Sequence, residues 1–249
     1  MMRVKKIAMR QPRSILGLAV IALVMVSVLI GLGVWQLHRK EEKRALIAAL
    51  TERLAAAAIA LLPKSQWASL NPARDEFRRV TFVGTFAPLP GAADVYSSGS
   101  ALRPDISGLG TFVFAPVRLA SGDSVVVNRG FVPNGVTATT DIFREPIALA
   151  GYIRFPEKGG WFTPHEDTAK RLWFLRDHLA MAKAYGWGDV APFYIDLETP
   201  TPASGLPKPG PLQVHLKDDH LQYAITWFGL ALAVAATFGF WIFGQQRSR

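Results

Sequence analysis

Cysteine is absent from all 249 residues. A chain without thiols has no disulfide framework, no thiolate metal site and no cysteine nucleophile, so whatever folds must be held by its apolar core alone. Ionisable residues are missing from two long stretches, ILGLAVIALVMVSVLIGLGVW from Ile15 to Trp35 and AITWFGLALAVAATFGFWIFG from Ala224 to Gly244. Each stretch as a helix spans about 31 Å, the thickness of a bilayer's hydrocarbon core. Catalytic signatures are also missing. No HExxH, GxSxG or SxxK occurs, and the glycines of Ser107-Gly108-Leu109-Gly110 precede a strand, whereas a dinucleotide loop needs them after one.

A cleaved signal peptide would also place a basic leader before an apolar block. The first block is longer than such segments, and Gly-Val-Trp-Gln-Leu-His offers no small-residue cleavage site, so a retained anchor is expected. Arg3, Lys5, Lys6, Arg10 and Arg13 precede the first block and Arg247 and Arg249 follow the second, which holds both ends on the cytoplasmic side. The expected organisation is a cytoplasmic leader 1–14, a transmembrane helix 15–37, an extracytoplasmic (periplasmic) domain 38–222, a second transmembrane helix 223–244 and a cytoplasmic tail 245–249. A bacterial inner membrane is the simplest home. The net charge of +9 follows from this topology: without those seven cations, 21 Lys and Arg face 19 Asp and Glu. A charge spent on topology points to no nucleic acid partner, which would need a basic patch on the folded part.

Beyond the first block, Leu46, Ile47, Leu50, Leu54, Ala57, Ala58 and Leu61 recur at three and four residues, which predicts a helix continuing outward to Pro63. Its polar face carries Lys40, Glu41, Lys43 and Arg44, read as a solvated, ion-paired surface. From Phe77 the period changes to two. Short runs at Phe77–Phe86, Gly110–Ala115, Ser124–Asn128, Ile147–Phe155 and Phe193–Leu197 predict strands, with a hairpin tip at Gly122-Asp123. Asp167–Tyr185 reads as one helix stopped by Gly186. The fold class is therefore α+β: two transmembrane helices flanking a mostly β extracytoplasmic domain, a small open barrel or sandwich with one or two helices. The proline-rich stretch from Thr199 to Pro211 reads as a stiff linker.

The five histidines are His38, His165, His178, His215 and His220, and none forms a close metal pair. His165-Glu166-Asp167 reads as a solvated or capping turn, and Arg129 as a strand-end arginine tied to a carboxylate or carbonyl. One cluster stands out where the apolar blocks meet the outer water. Trp35, Gln36 and His38 leave the first, and His220, Gln222, Tyr223, Thr226 and Trp227 enter the second. His220, Tyr223 and Trp227 share a helix face at i, i+3 and i+7, over about 10 Å. An aromatic belt at the membrane interface accounts for such residues without any ligand. A neutral imidazole above aromatic faces is also what a transient haem site would use.

The same segments resemble the Surfeit locus assembly-factor family, the Shy family of yeast, in cytochrome c oxidase biogenesis. The resemblance runs through Gly33-Val34-Trp35-Gln36 with Arg39 and Lys43, the strand Arg79 to Phe86, Val127 to Pro133, Gly151 to Glu157, and Asp219 to Phe228. It covers nearly the whole chain in order and spacing. Asp218 and Asp219 stand where asparagines are usual before the signature histidine.

The resemblance implies a non-enzymatic assembly factor that assists haem a insertion into the largest subunit of cytochrome c oxidase. It implies haem a as a transient cofactor, which the cluster at the outer ends of the two blocks would meet with His220 as the iron ligand and Tyr223, Trp227, Trp35 and Gln36 around it. The oxidase's largest subunit, haem A synthase and membrane lipid are the implied partners. Two alternatives remain: a membrane-anchored scaffold that binds no haem, and an extracytoplasmic enzyme built on His165, Glu166, Asp167 and Arg129.

Overall fold

The computed structural model describes residues 12–87, 91–136, 145–214 and 218–247. The basic residues Arg3, Lys5, Lys6 and Arg10, and also His215 and Arg249, lie outside the described residues. The chain divides into two compact units. One holds the first helix as far as Leu46 together with the last helix; the other runs from Ile47 to Leu216.

Helix α1 (Pro12–Ala55) is one uninterrupted element, of which the part up to Leu46 belongs to the first unit. Its apolar part has side chains turned outward, Leu16 and Leu23 being 68% exposed. The closing helix, His220–Arg247, presents Leu232 and Phe240 in the same way. Both are long and apolar enough to cross a membrane. An exposed apolar surface of that length makes both helices candidates for crossing a membrane.

Helix α1 ends at Ala55, short of the expected Pro63. The segment after it contributes β1 (Ile59–Ala60), which pairs in parallel with β2 (Arg79–Phe86), and Leu61 donates to the Thr81 carbonyl at 2.9 Å. Ladder bonds to an available strand edge thus replace two helical turns. Two short helices, α2 (Lys64–Trp67) and α3 (Pro72–Asp75), lie between these strands.

The rest of the second unit is β3 (Ala93–Gly99), β4 (Ser107–Leu119), β5 (Ser124–Pro133), β6 (Ile147–Arg154), β7 (Leu172–Trp173), α4 (His178–Tyr185) and β8 (Val190–Thr199). The closing helix is α5. Strand order in the mixed sheet is β1-β2-β6-β8-β5-β4-β3-β7, and β2 also pairs with β4 over Gly84–Phe86. The β4–β5 hairpin turns at the expected Gly122, whose φ is +88°, with Val117 opposite Val125.

Alternation along the strands builds two clusters. Val80, Val117, Val125, Val127, Leu149, Ile153, Phe193 and Ile195, drawn from β2, β4, β5, β6 and β8, form the first, each no more than 1% exposed. Trp67 packs edge-on against Phe193 there, their ring centroids 5.6 Å apart. Phe112, Phe114, Val126, Trp173, Met181 and Tyr194 form the second, to which α4 contributes Met181. Strands β5 and β8 feed both clusters, which explains their continuous apolar runs.

The single helix expected over Asp167–Tyr185 is not formed. Asp167 and Leu172 exchange backbone hydrogen bonds at 2.8 and 2.9 Å, Leu172–Trp173 pairs with β3, and only the stretch after Asp177 is helical. The apolar spacing that suggested a longer helix is genuine, but burying Trp173 against β3 outweighs it. Asp177 caps α4 by accepting from the Ala180 N–H, and Gly186 stops it in the left-handed conformation.

Candidate functional site

Helix α5 starts at His220 because two aspartates satisfy its first turn. The Asp218 carboxylate accepts from the His220 backbone N–H at 3.3 Å, and the Asp219 carbonyl accepts from the Tyr223 N–H at 3.2 Å. The Asp218 carboxylate therefore serves the backbone, and the imidazole has another partner. Nδ1 of His220 lies 2.8 Å from Oε1 of Gln36, on helix α1.

Helical spacing explains how the two meet. Ala224 and Ala231 are buried on α5, and Gly33 is buried on α1, so small residues let the helices approach. A Cβ on Gly33 would stand 2.5–2.8 Å from three atoms of the Phe228 ring. Gln36, one turn beyond Gly33, then faces His220, which is two turns before Phe228.

With an amide oxygen against Nδ1, a neutral imidazole carries its proton on that nitrogen and leaves the lone pair on Nε2. This is the tautomer a metal-ligating histidine needs, oriented by a hydrogen bond behind the ring. Of the five residues expected around a ligand, His220 and Gln36 are brought into direct contact. Trp227 is half-buried, whereas Trp35 and Tyr223 are 53% and 55% exposed. Those two rings face outward from the helix pair, as belt residues also do.

The residues considered for an enzyme are dispersed in role. His165 and Glu166 are exposed, and Asp167 pairs with Lys170 at 3.2 Å. Arg129 is buried with its guanidinium 4.9 Å from the Phe86 ring centre. Among the described residues no three His, Asp or Glu side chains gather in a way that could hold a metal ion.

A buried polar group inside the second unit was not anticipated from sequence. Asp196 on β8 accepts from Asn128 Nδ2 at 2.7 Å and from Arg154 Nη1 at 2.9 Å. Arg154 also donates to Glu76 at 3.1 Å and stacks over Phe77, 4.5 Å from the ring centre. Asn128, Arg154 and Asp196 are all buried. Burial disfavours the charged Arg154 guanidinium, and the Asp196 and Glu76 carboxylates hold it charged nonetheless. Burial pushes the Tyr194 hydroxyl up, so it stays protonated. A cavity of about 20 Å³ beside these groups is lined by Arg103, Asn128, Arg154, Arg176 and Asp196. That is room for one water molecule. Each guanidinium already has a carboxylate, Arg103 on Asp105, Arg154 on Asp196 and Arg176 on Glu157. The group is a structural tie between β5, β6 and β8. An Asp inside FYIDLE and an Arg inside GYIRF were its signal, since ionisable residues inside apolar strands are buried in pairs or not at all.

Comparison with known proteins finds relatives over most of the chain. The SURF1 family profile matches residues 23–232. Surfeit locus protein 1 of Rattus norvegicus is 33% identical over 218 residues, covering 82% of this chain and 69% of the rat protein. Surfeit locus protein 1 of Homo sapiens is 30% identical over 222 residues, covering 82% and 71%. A SURF1-like protein of Monosiga brevicollis is 31% identical over 234 residues, covering 87% and 83%.

Proposed function

This chain belongs to the SURF1 family, and on that premise we propose that it is a membrane-bound, non-enzymatic assembly factor for cytochrome c oxidase, assisting haem a insertion into the largest subunit. In this reading the two apolar helices cross a bacterial inner membrane with both termini in the cytoplasm. The domain 38–222 lies outside, where it contacts the oxidase subunit, and haem A synthase is a further partner.

The observation that carries the reading is the His220–Gln36 hydrogen bond at 2.8 Å. It supports the reading because a neutral imidazole with Nδ1 occupied and Nε2 free matches the donor that haem iron takes. His220 would hold the iron through Nε2. Gln36 would keep the ring turned and the proton on Nδ1, and Tyr223, Trp227 and Trp35 would offer aromatic faces to the macrocycle. The bound haem supplies only an iron centre to be handed on, and no bond-making chemistry is asked of the protein. A single neutral ligand without charge assistance suits release as well as capture.

A scaffold that binds no haem is favoured by a different observation, the outward exposure of Trp35 and Tyr223. One experiment separates the two. Reduced-minus-oxidised spectra are taken of membranes from cells lacking the gene, complemented by wild type or by His220→Ala at matched expression. The assembly reading expects the a-type signal to fall without the gene, return with wild type and stay low with His220→Ala. Full recovery with His220→Ala would leave the scaffold; an unchanged signal without the gene, with the oxidase expressed, would overturn the oxidase role.

A further inference from the structure

Trp161 and Phe162 are 95% and 93% exposed. Among the described residues of the second unit, the other exposed large apolar side chains, Ile59, Val83, Tyr96, Leu109, Val136 and Leu179, are at most 51% exposed. Folding gains almost nothing from these two rings, although each could bury about 150–250 Å² elsewhere.

The rings are presented by a braced loop. Gly160 donates to the Thr163 hydroxyl at 2.8 Å, and Thr163 returns its N–H to the Gly160 carbonyl at 3.1 Å. At the base, Glu157 and Arg176 are joined by a side-chain pair at 3.4 Å, and the Arg176 N–H also donates to the Glu157 carboxylate at 3.1 Å. A tip already held in shape loses little entropy when it binds. Its sequence from Lys158 to His165, KGGWFTPH, contains no acid.

Resting on the reading that the two apolar helices cross a membrane, we propose that this tip is a membrane-interface anchor, with Trp161 and Phe162 seated among the headgroups of that bilayer. The two rings together offer at most about 500 Å², short of the roughly 800 Å² per partner of a standard protein interface. A bilayer asks for less. The second unit is joined at both ends to apolar helices, so the membrane is always at high effective concentration and a small contact suffices. Tryptophan suits that boundary, its ring among acyl chains and its N–H among headgroups. Lys158 fits the lipid phosphates and no carboxylate within the tip opposes them.

The absence of cysteine makes the test direct, because an introduced thiol is the only one. Full-length Phe162→Cys, and Ser121→Cys as an exposed control in the β4–β5 turn, carry a nitroxide in nanodiscs of phosphatidylethanolamine and phosphatidylglycerol. Collisions with oxygen and with a water-soluble nickel chelate are then compared. The anchor expects the label at 162 to favour oxygen several-fold over the label at 121. Equal nickel access at both positions would overturn it. So would a label at 162 shielded from both reagents, which would mean a protein surface, from this chain or a second copy, covers the tip.

Discussion

His220 and Gln36 are 184 residues apart in sequence, yet their side chains meet at 2.8 Å across two helices. The contact joins the helices and also selects the imidazole tautomer. Hydrogen bonds between helices in bilayers are worth about 0.6 kcal/mol on average and at most about 1.7. Its energetic share is therefore small, and its chemical consequence is the larger one.

Replacing Gln36 should act on the histidine before it acts on the fold. Gln36→Leu is expected to lose the Nδ1–H signature of His220 in nitrogen-15 NMR of histidine-labelled protein, while Gln36→Glu, which keeps an acceptor, retains it. Groups behind a metal-ligating histidine typically contribute about 10- to 100-fold to affinity. If the haem reading holds, Gln36→Leu should weaken haem binding on that scale, and an unchanged tautomer in Gln36→Leu would show that the contact does not orient the ring.

The helix pair should be sensitive at Gly33. A side chain there meets the Phe228 ring, so Gly33→Val is expected to lose about 1–3 kcal/mol by overpacking unless the ring gives way. Adding Phe228→Ala should recover most of that loss. Thermal unfolding of the three variants in one detergent checks it, and additive losses in the double variant would mean the two residues do not touch.

Asp196 is the carboxylate shared by Asn128 and Arg154 in the buried polar group. Asp196→Ala leaves a buried guanidinium with one partner fewer, a change that costs about 3–5 kcal/mol. Denaturant unfolding should show the loss with little change in the His220–Gln36 contact, since the group ties three strands. A loss below about 1 kcal/mol would mean that water compensates the arginine fully.

His178 is buried at the start of α4, its Nε2 2.9 Å from the Ala191 carbonyl oxygen and its Nδ1 without a hydrogen-bond partner. Burial lowers its pKa below the ordinary 6.5. Between the lowered value and 6.5 the unfolded chain binds more protons than the folded one, so stability rises with pH across that window, is lost as the pH drops through it, and is flat above it for this group. His178→Phe should flatten that part of the stability profile, while an identical profile would assign the acid sensitivity to other residues.

Much of the architecture was legible in the chain itself. The two apolar blocks, the β4–β5 hairpin and the strands at β2, β5, β6 and β8 carry strong local signals: length without charge, glycine at a tip, and runs of Val, Ile and Phe. β3 was missed because ADVYSSG has too little apolar alternation to declare itself. β7 was hidden inside a stretch whose Leu172, Leu175 and Leu179 keep helical spacing. β3 pairs along its length with the next strand, β4, whereas β7 exists because β3, a partner distant in sequence, offers it an edge that no local pattern reports.

The candidate site divides in the same way. Sequence alone determined that His220, Gln36 and their aromatic neighbours stand at the ends of apolar segments, because hydropathy and spacing are properties of the chain. Only tertiary structure decided that Gln36 is the partner of His220, that Asp218 serves the backbone, and that Asn128, Arg154 and Asp196 form one buried group. Hydrogen-bond partners are chosen by the rotation and approach of whole elements, and that choice depends on small residues such as Gly33 and Ala224 whose effect appears only when two helices are packed together.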